Sequence, residues 1–411
     1  MTQPPVSVII VSRGRPDALT LCLTGVARLT YPSYEVSVVA DQAGLRAVER
    51  LPFADWIKTV RFDEANISAA RNRGVAQAAG EVLAFLDDDA VPEPRWLDHL
   101  AAAFGDPAVA AAGGFVLGRN GISFQWKGRI VDQTGRAADV ALNPRIPSVL
   151  TPPEGHGIKT EGTNMAIRRD VLAAMGGFDP AFRFYLDETD VNLRLARDGH
   201  ATAIVPLAQV HHGYAASDRR GANRRVRDLR QIAASTMVFL RKHCPESRHS
   251  DLLAGFEAEQ RRRLLAQMVS GLQEPRDIRR LMGTWRAGLA EGRARVLTDP
   301  IPLPPVAAAF SPFPSLFGGG HSVICGYRIH ARRLRREAAR EAASGKTVTL
   351  LLMSRSALYH RLRFHPDGYW EQSGGLWGRS DRSDPLLRWS TLRARCEREL
   401  DRIGTVRFWD A

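Results

Sequence analysis

The stretch VLAFLDDDAVPEP, residues 82–94, sets five apolar residues directly before three carboxylates and closes on two prolines. Val82 to Leu86 reads as a buried strand, with Asp87, Asp88 and Asp89 just beyond its carboxyl end. Carboxylates buried without partners lose their hydration at high cost, so a run of three at a strand end calls for a reason. Their hard oxygens suit Mg2+ or Mn2+, held by one or two side chains together with substrate phosphates, which implies a diphosphate-bearing substrate. The plain alternative is an acidic turn or helix N-terminus ahead of Pro92.

On either side of this stretch, short aliphatic runs alternate with helical patterns from Val6 to about Val205. Strands are predicted at Val6 to Val11, Val36 to Ala40 and Ile57 to Phe62, with helices from Pro16 to Leu29 and from about Ser68 to Ala79. Pro16 suits a first helical turn, where its missing N–H costs nothing. The alternation predicts an α/β fold, a Rossmann-like, doubly wound and mostly parallel sheet with helices on both faces. Ligands of such sheets sit beyond the carboxyl ends of the strands, which singles out Ser12, Arg15 and Asp41 beside the three aspartates.

At 411 residues with 44% hydrophobic and 25% charged, the chain has the balance of a folded protein with a sizeable core. No run reaches the roughly 18 to 20 apolar residues that span a bilayer, and no basic segment precedes the first apolar run. A cytoplasmic protein is expected. Cys22, Cys244, Cys325 and Cys396 lie far apart without CxxC spacing, so reduced thiols are expected rather than a disulfide framework or a zinc site.

Charge divides the chain. Residues 1–218 carry 21 Lys and Arg against 25 Asp and Glu, a net −4, and residues 219–411 carry 36 against 19, a net +17. A basic half suits nucleic acid, anionic lipid headgroups or an acidic glycan. A nucleic-acid-binding protein is one reading, but no zinc-finger spacing, aromatic RNP-like signature or clear helix-turn-helix supports it, and no specific nucleic acid is expected. The alternation stops near Gly221, where an Arg-rich amphipathic helix over 224–243 begins. A Pro-rich segment over 299–320 reads as a linker or a surface crossing. Beyond it a basic helix near Arg332 to Ala343, a buried strand from Thr347 to Met353 and an aromatic, Gly-containing stretch are predicted. The divisions expected are 1–243, then a helical and Pro-rich connection over 244–320, then a mainly helical accessory region with a small strand-containing part over 321–411. Trp370 in the last part suits sugar stacking or a small core.

A second acidic cluster, YLDETDVNLRLARDG at 185–199, opens a helix with Asp187, Glu188 and Asp190. Such carboxylates complement a helix dipole, yet Phe178, Phe182, Phe184, Tyr185 and Leu186 crowd the approach, and a carboxylate on an apolar shelf suits general-base work. Arg71 sits near a helix start, where a cation gains nothing from the dipole, so an anion is its expected partner. His211, after the strand near Thr202 to Val205, is a possible third metal ligand, although a structural histidine is the commoner case.

VSVIIVSRGRP (6–16), Asp41, NISAARNRG (66–74), FLDDDAVPEPRWL (85–97), GTNMAIRRDVLAAMGGFDPAF (162–182), YLDETDVNLRLARDG and VHHG (210–213) together resemble family 2 glycosyltransferases. The resemblance covers about Val6 to Lys242. It implies a GT-A fold and an inverting, metal-dependent transfer of a hexose-type sugar from a nucleotide-diphosphate sugar to an acceptor hydroxyl. By that resemblance Ser12, Arg15, Asp41, Arg71, Asp87 and Asp88 bind the donor, Asp89 and His211 hold Mg2+ or Mn2+, and Glu188 is the base with Asp187 as the alternate. Gly162, Thr163 and Asn164 fall in the part that shapes sugar and acceptor recognition, and Trp370 is placed on the acceptor side. A glycan or lipid-linked acceptor, a role in bacterial surface polysaccharide or lipopolysaccharide assembly, and peripheral contact with the anionic inner face of the membrane are what the resemblance and the basic half suggest. Ala40 stands where many relatives have a second Asp, and QRRRL at 260–264 lacks the tryptophan of the processive QxxRW signature, so single-sugar transfer is expected. A nucleotidyltransferase on the same fold is the nearest rival. Such chemistry calls for a Gly-rich phosphate loop, and SRGRP offers only Gly14.

Overall fold

A computed structural model describes residues 3–221, 223–306 and 308–408. Strands β1 (Val6–Ser12), β2 (Tyr34–Ala40), β3 (Ile57–Arg61) and β4 (Val82–Asp87) alternate with helices α1 (Pro16–Val26), α2 (Gln42–Glu49) and α3 (Ile67–Gln77). After β5 (Ala90–Pro92) and α4 (Trp96–Ala102) come β6 (Val109–Leu117), β7 (Phe124–Trp126), β8 (Arg129–Asp132), β9 (Ala137–Asp139), β10 (Ser148–Leu150), β11 (His156–Lys159) and β12 (Met165–Arg168). Helices α5 (Arg169–Ala174) and α6 (Asp187–Arg197) lead into the long β13 (Ala201–His212).

Ten of these strands make one sheet, ordered β10-β13-β6-β12-β4-β1-β2-β3, with β5 paired to β13 and β7 to β6. Along that path only β10 and β12 run against the shared direction of the other six strands. The mostly parallel α/β sheet expected from the sequence is therefore present. Its inner strands read as continuous apolar runs because both faces are covered. Leu19, Leu23, Trp96 and Leu97 of α1 and α4 close one face. Val75, Leu172, Val191 and Leu195 of α3, α5 and α6 close the other.

Helices α7 (Arg230–His243), α8 (His249–Val269) and α9 (Pro275–Ala294) follow. They share a core of Met237, Leu264, Leu281 and Trp285, so this helical unit crosses the division expected after residue 243. The Pro-rich segment is a crossing rather than a free linker. Leu303 N–H donates to Ala173 O and Leu316 N–H to Ala27 O, and Phe313 is buried against Tyr34 and Phe53.

The C-terminal part holds β14 (His321–Tyr327), α10 (Ala331–Ala343), β15 (Thr347–Ser354), β16 (Arg361–Phe364), β17 (Trp370–Gly375) and α11 (Leu392–Arg407). Its sheet, ordered β14-β15-β17-β16, packs α10 on one face through Leu334 and Ala338 and α11 on the other. Here one expectation is corrected: Cys325 of β14 and Cys396 of α11 are joined as a disulfide, because the helix lies across that face of the sheet. Cys22 and Cys244 are free and buried. Among the described residues no helix is long and apolar enough to cross a membrane.

Candidate active site

The cleft lies where β1, β2 and β4 end. Asp41 caps α2, with Oδ1 accepting from Gly44 N–H at 2.9 Å, and its Oδ2 accepts from Gly14 N–H at 2.8 Å. That one carboxylate ties the loop after β1 to the loop after β2. Past Asp87 the chain turns through Asp88 and Asp89 into β5, which pairs with the end of β13 so that His211 faces Val91 and His212 faces Ala90. Successive strand side chains point to opposite faces, so only one of the two histidines reaches the aspartates. It is His212, with Nε2 3.5 Å from Asp89 Oδ1. The expectation for His211 is corrected accordingly: its Nε2 lies 2.7 Å from Glu93 Oε1, and its ring packs 4.4 Å from that of Trp370. Gly213 N–H donates to Asp89 O at 2.6 Å, and a Cβ at Gly213 would come within 2.8 Å of that oxygen, so the approach requires glycine.

A cavity of about 480 Å³ opens above these strand ends, lined among others by Ser12, Arg13, Arg15, Asp41, Asp87, Asp89 and His212. Ligand atoms of Asp87, Asp89 and His212 all lie within 4.8 Å of one another. Two hard carboxylates with one imidazole suit Mn2+ at least as well as Mg2+, so the donor set fits the metal expected here. Burial raises the pKa of Asp89, but His212, Arg15 and the Ala215 N–H outweigh it and hold the group down at about 2. It is a permanent anion. Asp88 has the opposite position. It is fully buried, accepts from Ser12 Oγ at 2.7 Å, and has the Arg15 guanidinium 2.5 Å from its Oδ1 without the alignment of a hydrogen bond. Burial dominates there and pushes it up to about 7 against Arg15 and Ser12. The expectation that Asp88 touches the donor is therefore corrected: it positions Ser12 and Arg15 from beneath.

Arg71 is also beneath the surface, only 3% exposed. Its guanidinium donates to Asp187, reaches Asp87 Oδ1 at 3.3 Å and Gly162 O at 3.1 Å, and packs 5.2 Å from the Phe178 ring centre. Rather than touching a nucleotide base, it joins the two acidic clusters that lie a hundred residues apart in sequence. Tyr185 and Leu186 enter α6 with φ of +73° and +66°, a conformation unfavourable for residues with a Cβ. Leu186 is held there by Val131, Phe182 and Phe239. The result is a sharp entry that places Asp187 and Glu188 in the first helical turn. Asp187 is buried, and desolvation raises its pKa in spite of Arg71. The Glu188 carboxylate keeps 16% exposure and accepts from Lys159 Nζ at 2.8 Å. Burial opposes its charge, but Lys159 outweighs burial and keeps it ionised.

The remaining expected site residues go elsewhere. Asn164 is fully buried, donating to Phe115 O and Ala208 O and accepting from Trp96 Nε1, so it knits the sheet to α4. Thr163 is buried, and Gly162 offers its carbonyl to Arg71. Trp370 is 2% exposed under His211, Phe364 and Arg407, which corrects its placement as a sugar-stacking surface. Arg13 of the Ser12 to Arg15 loop does line the cleft, while sequence reading missed His212, Lys159 and the cleft arginines Arg219, Arg220 and Arg263. Arg263 lies in the QRRRL stretch, so the surface helix α8 contributes to the cleft. The basic run at 219–225 was the one available signal for Arg219 and Arg220.

Residues 7–175 match the family model described as Glycosyl transferase family 2. Two curated relatives are similar over part of the chain. The O-antigen biosynthesis protein RfbC of Myxococcus xanthus is 31% identical over 235 residues, 53% of this chain and 18% of that protein. Glycosyltransferase AglE of Haloferax volcanii is 37% identical over 123 residues, 28% of this chain and 40% of its own length. The chain thus spans well under half the length of either. Among solved structures, that of GalNAc-T7 with UDP, GalNAc and Mn2+ is similar at 17% identity and a TM-score of 0.45, covering 58% of this chain and 48% of the other.

Proposed function

We propose that this chain, whose residues 7–175 carry a glycosyl transferase family 2 domain, moves a sugar from a nucleoside-diphosphate sugar to an acceptor hydroxyl with inversion. The observation that carries this reading is the joining of two acidic clusters by Arg71, one lining an open cleft rich in arginine and one in which Glu188 is held ionised by Lys159.

In this reading Asp41 and the β1 loop receive the nucleoside, and Arg13, Arg15 and Arg219 face the diphosphate. Asp87, Asp89 and His212 would hold Mn2+ or Mg2+, which supplies positive charge where the leaving diphosphate gains negative charge. The acceptor oxygen forms a bond to the anomeric carbon as the bond from that carbon to the β-phosphate oxygen breaks, its electron pair leaving with the nucleoside diphosphate. Glu188 accepts the proton of the attacking hydroxyl. One in-line displacement inverts the anomeric centre. Asp187 is buried and paired with Arg71, whereas Glu188 keeps part of its carboxylate exposed and is held ionised by Lys159, which supports Glu188 as the base. The name of one relative, an O-antigen biosynthesis protein, supports an acceptor belonging to surface polysaccharide assembly.

A thermal-shift panel of UDP-, GDP- and dTDP-sugars, with and without Mn2+, tests this on the full chain and on Asp89→Asn. One nucleotide class at about 100 times its Kd should add about 2.7 kcal/mol of stability, dependent on Mn2+ and absent in the variant. Stability unmoved by every donor overturns the reading.

A further inference from the structure

A second cavity, about 1200 Å³, lies on the other side of Asp89 and His212, the two residues whose side chains line both spaces. Tyr359, Arg361, Leu362, Arg363, Phe364 and Arg382 of the C-terminal part form one side of its wall, beyond residue 175 where the family match ends. Strand β16 is set against the loop after β6: Leu362 N–H donates to Asn120 O at 2.8 Å. Gly121 at φ +70° passes so close to Leu362 O that a Cβ there would stand 2.1 Å from it. The wall is thus built by the fold of the whole chain.

Its charge is one-sided. Arg119, Arg224, Arg361, Arg363 and Arg382 line it, and Asp89 is the one carboxylate among its lining residues. Arg119, Arg361, Arg363 and Arg382 are exposed and make no ion pair among the described residues. This contrasts with the arginines of the C-terminal core, which are paired. Arg361 and Arg363 stand two apart on one edge strand, so both guanidinium groups point to the same face while Leu362 points inward. Trp126 and Tyr214 line the same groove. Unpaired guanidinium groups lining one groove that also holds aromatic side chains suit a phosphate with an apolar or sugar body attached.

We infer that this groove is the acceptor site and that the acceptor carries a phosphate, held by Arg361, Arg363 and Arg119 and delivered to the Asp89–His212 wall. The inference rests on the transferase reading above and adds the acceptor's chemistry. The donor's own diphosphate is met by a different set of arginines in the other cavity, which leaves this set for the second substrate.

Titration calorimetry with decyl phosphate and with glucose 1-phosphate, on the full chain and on the Arg361→Glu/Arg363→Glu variant, tests it. Tighter binding of decyl phosphate assigns a lipid-borne phosphate, and tighter binding of glucose 1-phosphate a sugar-borne one. In either case the double variant should bind about tenfold more weakly or worse, and Arg361→Lys/Arg363→Lys should recover part of the loss. Absence of binding, or binding equal in wild type and double variant, overturns the inference. The Mn2+-dependent donor shift, measured on the same samples, reports on folding and on the transferase reading separately. A donor shift without phosphate binding fails only the groove, and loss of the donor shift in wild type fails the reading beneath it.

Discussion

At the carboxyl end of β4, Asp87 and Asp89 stand at an open cleft beside His212. Between the C-terminal sheet and α11 the buried ionisable groups close on one another instead. Glu399 there accepts from Gln372 Nε2 at 2.8 Å and from Ser380 Oγ, and pairs with Arg395 at 2.9 Å and Arg402 at 3.3 Å. His360 is fully buried between Gly375 O, Gln372 and Arg395, and burial together with Arg395 lowers its pKa to about 4. Both regions concentrate charge, but only in the first do the carboxylates line a cavity among the described residues. A buried carboxylate closed in by its partners reads as scaffold, and one lining a cleft at a strand end reads as a candidate site.

The largest effect that would break this contrast falls on Glu188. Glu188→Gln keeps size and the Lys159 contact but cannot take a proton, and should lower turnover by about 10² to 10⁴-fold while the Mn2+-dependent donor shift stays. Full activity in single-turnover transfer would make Glu188 scaffold too. Next is the residue that joins the two regions. Arg407 of α11 is buried, pairs with Glu93 through Nε and Nη2, donates to Thr349 Oγ1 at 3.0 Å, and stacks 4.6 Å from Trp370. Glu93 in turn holds His211, the neighbour of His212. Arg407→Met leaves a buried carboxylate with only a histidine, and should cost about 3 to 5 kcal/mol of stability in urea unfolding. A single transition that moves as a whole would show the two regions unfolding together, and two transitions would show that they do not.

These same residues show where a sequence stops speaking. The strands were legible because β1, β2 and β4 are buried on both faces, which leaves an uninterrupted apolar run, and the aspartates were legible because they end such a run. The choice between His211 and His212 was not, since it depends on the register of β13 against β5, set by pairing between residues more than a hundred apart. Arg71 announced an anionic partner but not that the partner would be Asp187. Trp370 looked like a sugar platform because its neighbours in sequence are polar, whereas docking of β17 against His211 and Arg407 covers it. The Cys325–Cys396 pairing likewise follows from where α11 lies, which no local pattern encodes.

The smallest effect tests the closed network by pH. Burial opposes the charge of Glu399, but Arg402, Ser380, Gln372 and Arg395 outweigh it and lower its pKa from 4.5 to about 2. Between those values the unfolded chain binds a proton that the folded chain does not, so acid shifts the balance toward unfolding. The stabilisation is complete above about pH 4.5 and lost as pH falls to about 2, a change of about 2 to 3 kcal/mol. Glu399→Gln has no proton to take up and should flatten that limb of the stability curve, leaving transfer at neutral pH unchanged because Glu399 faces no substrate. A variant whose acid limb matches wild type would mean that Glu399 is not held by its neighbours as the geometry requires. A fall in transfer rate at pH 7 without loss of fold would make the buried Glu399 network, and not only the edge strand β16, part of the working site.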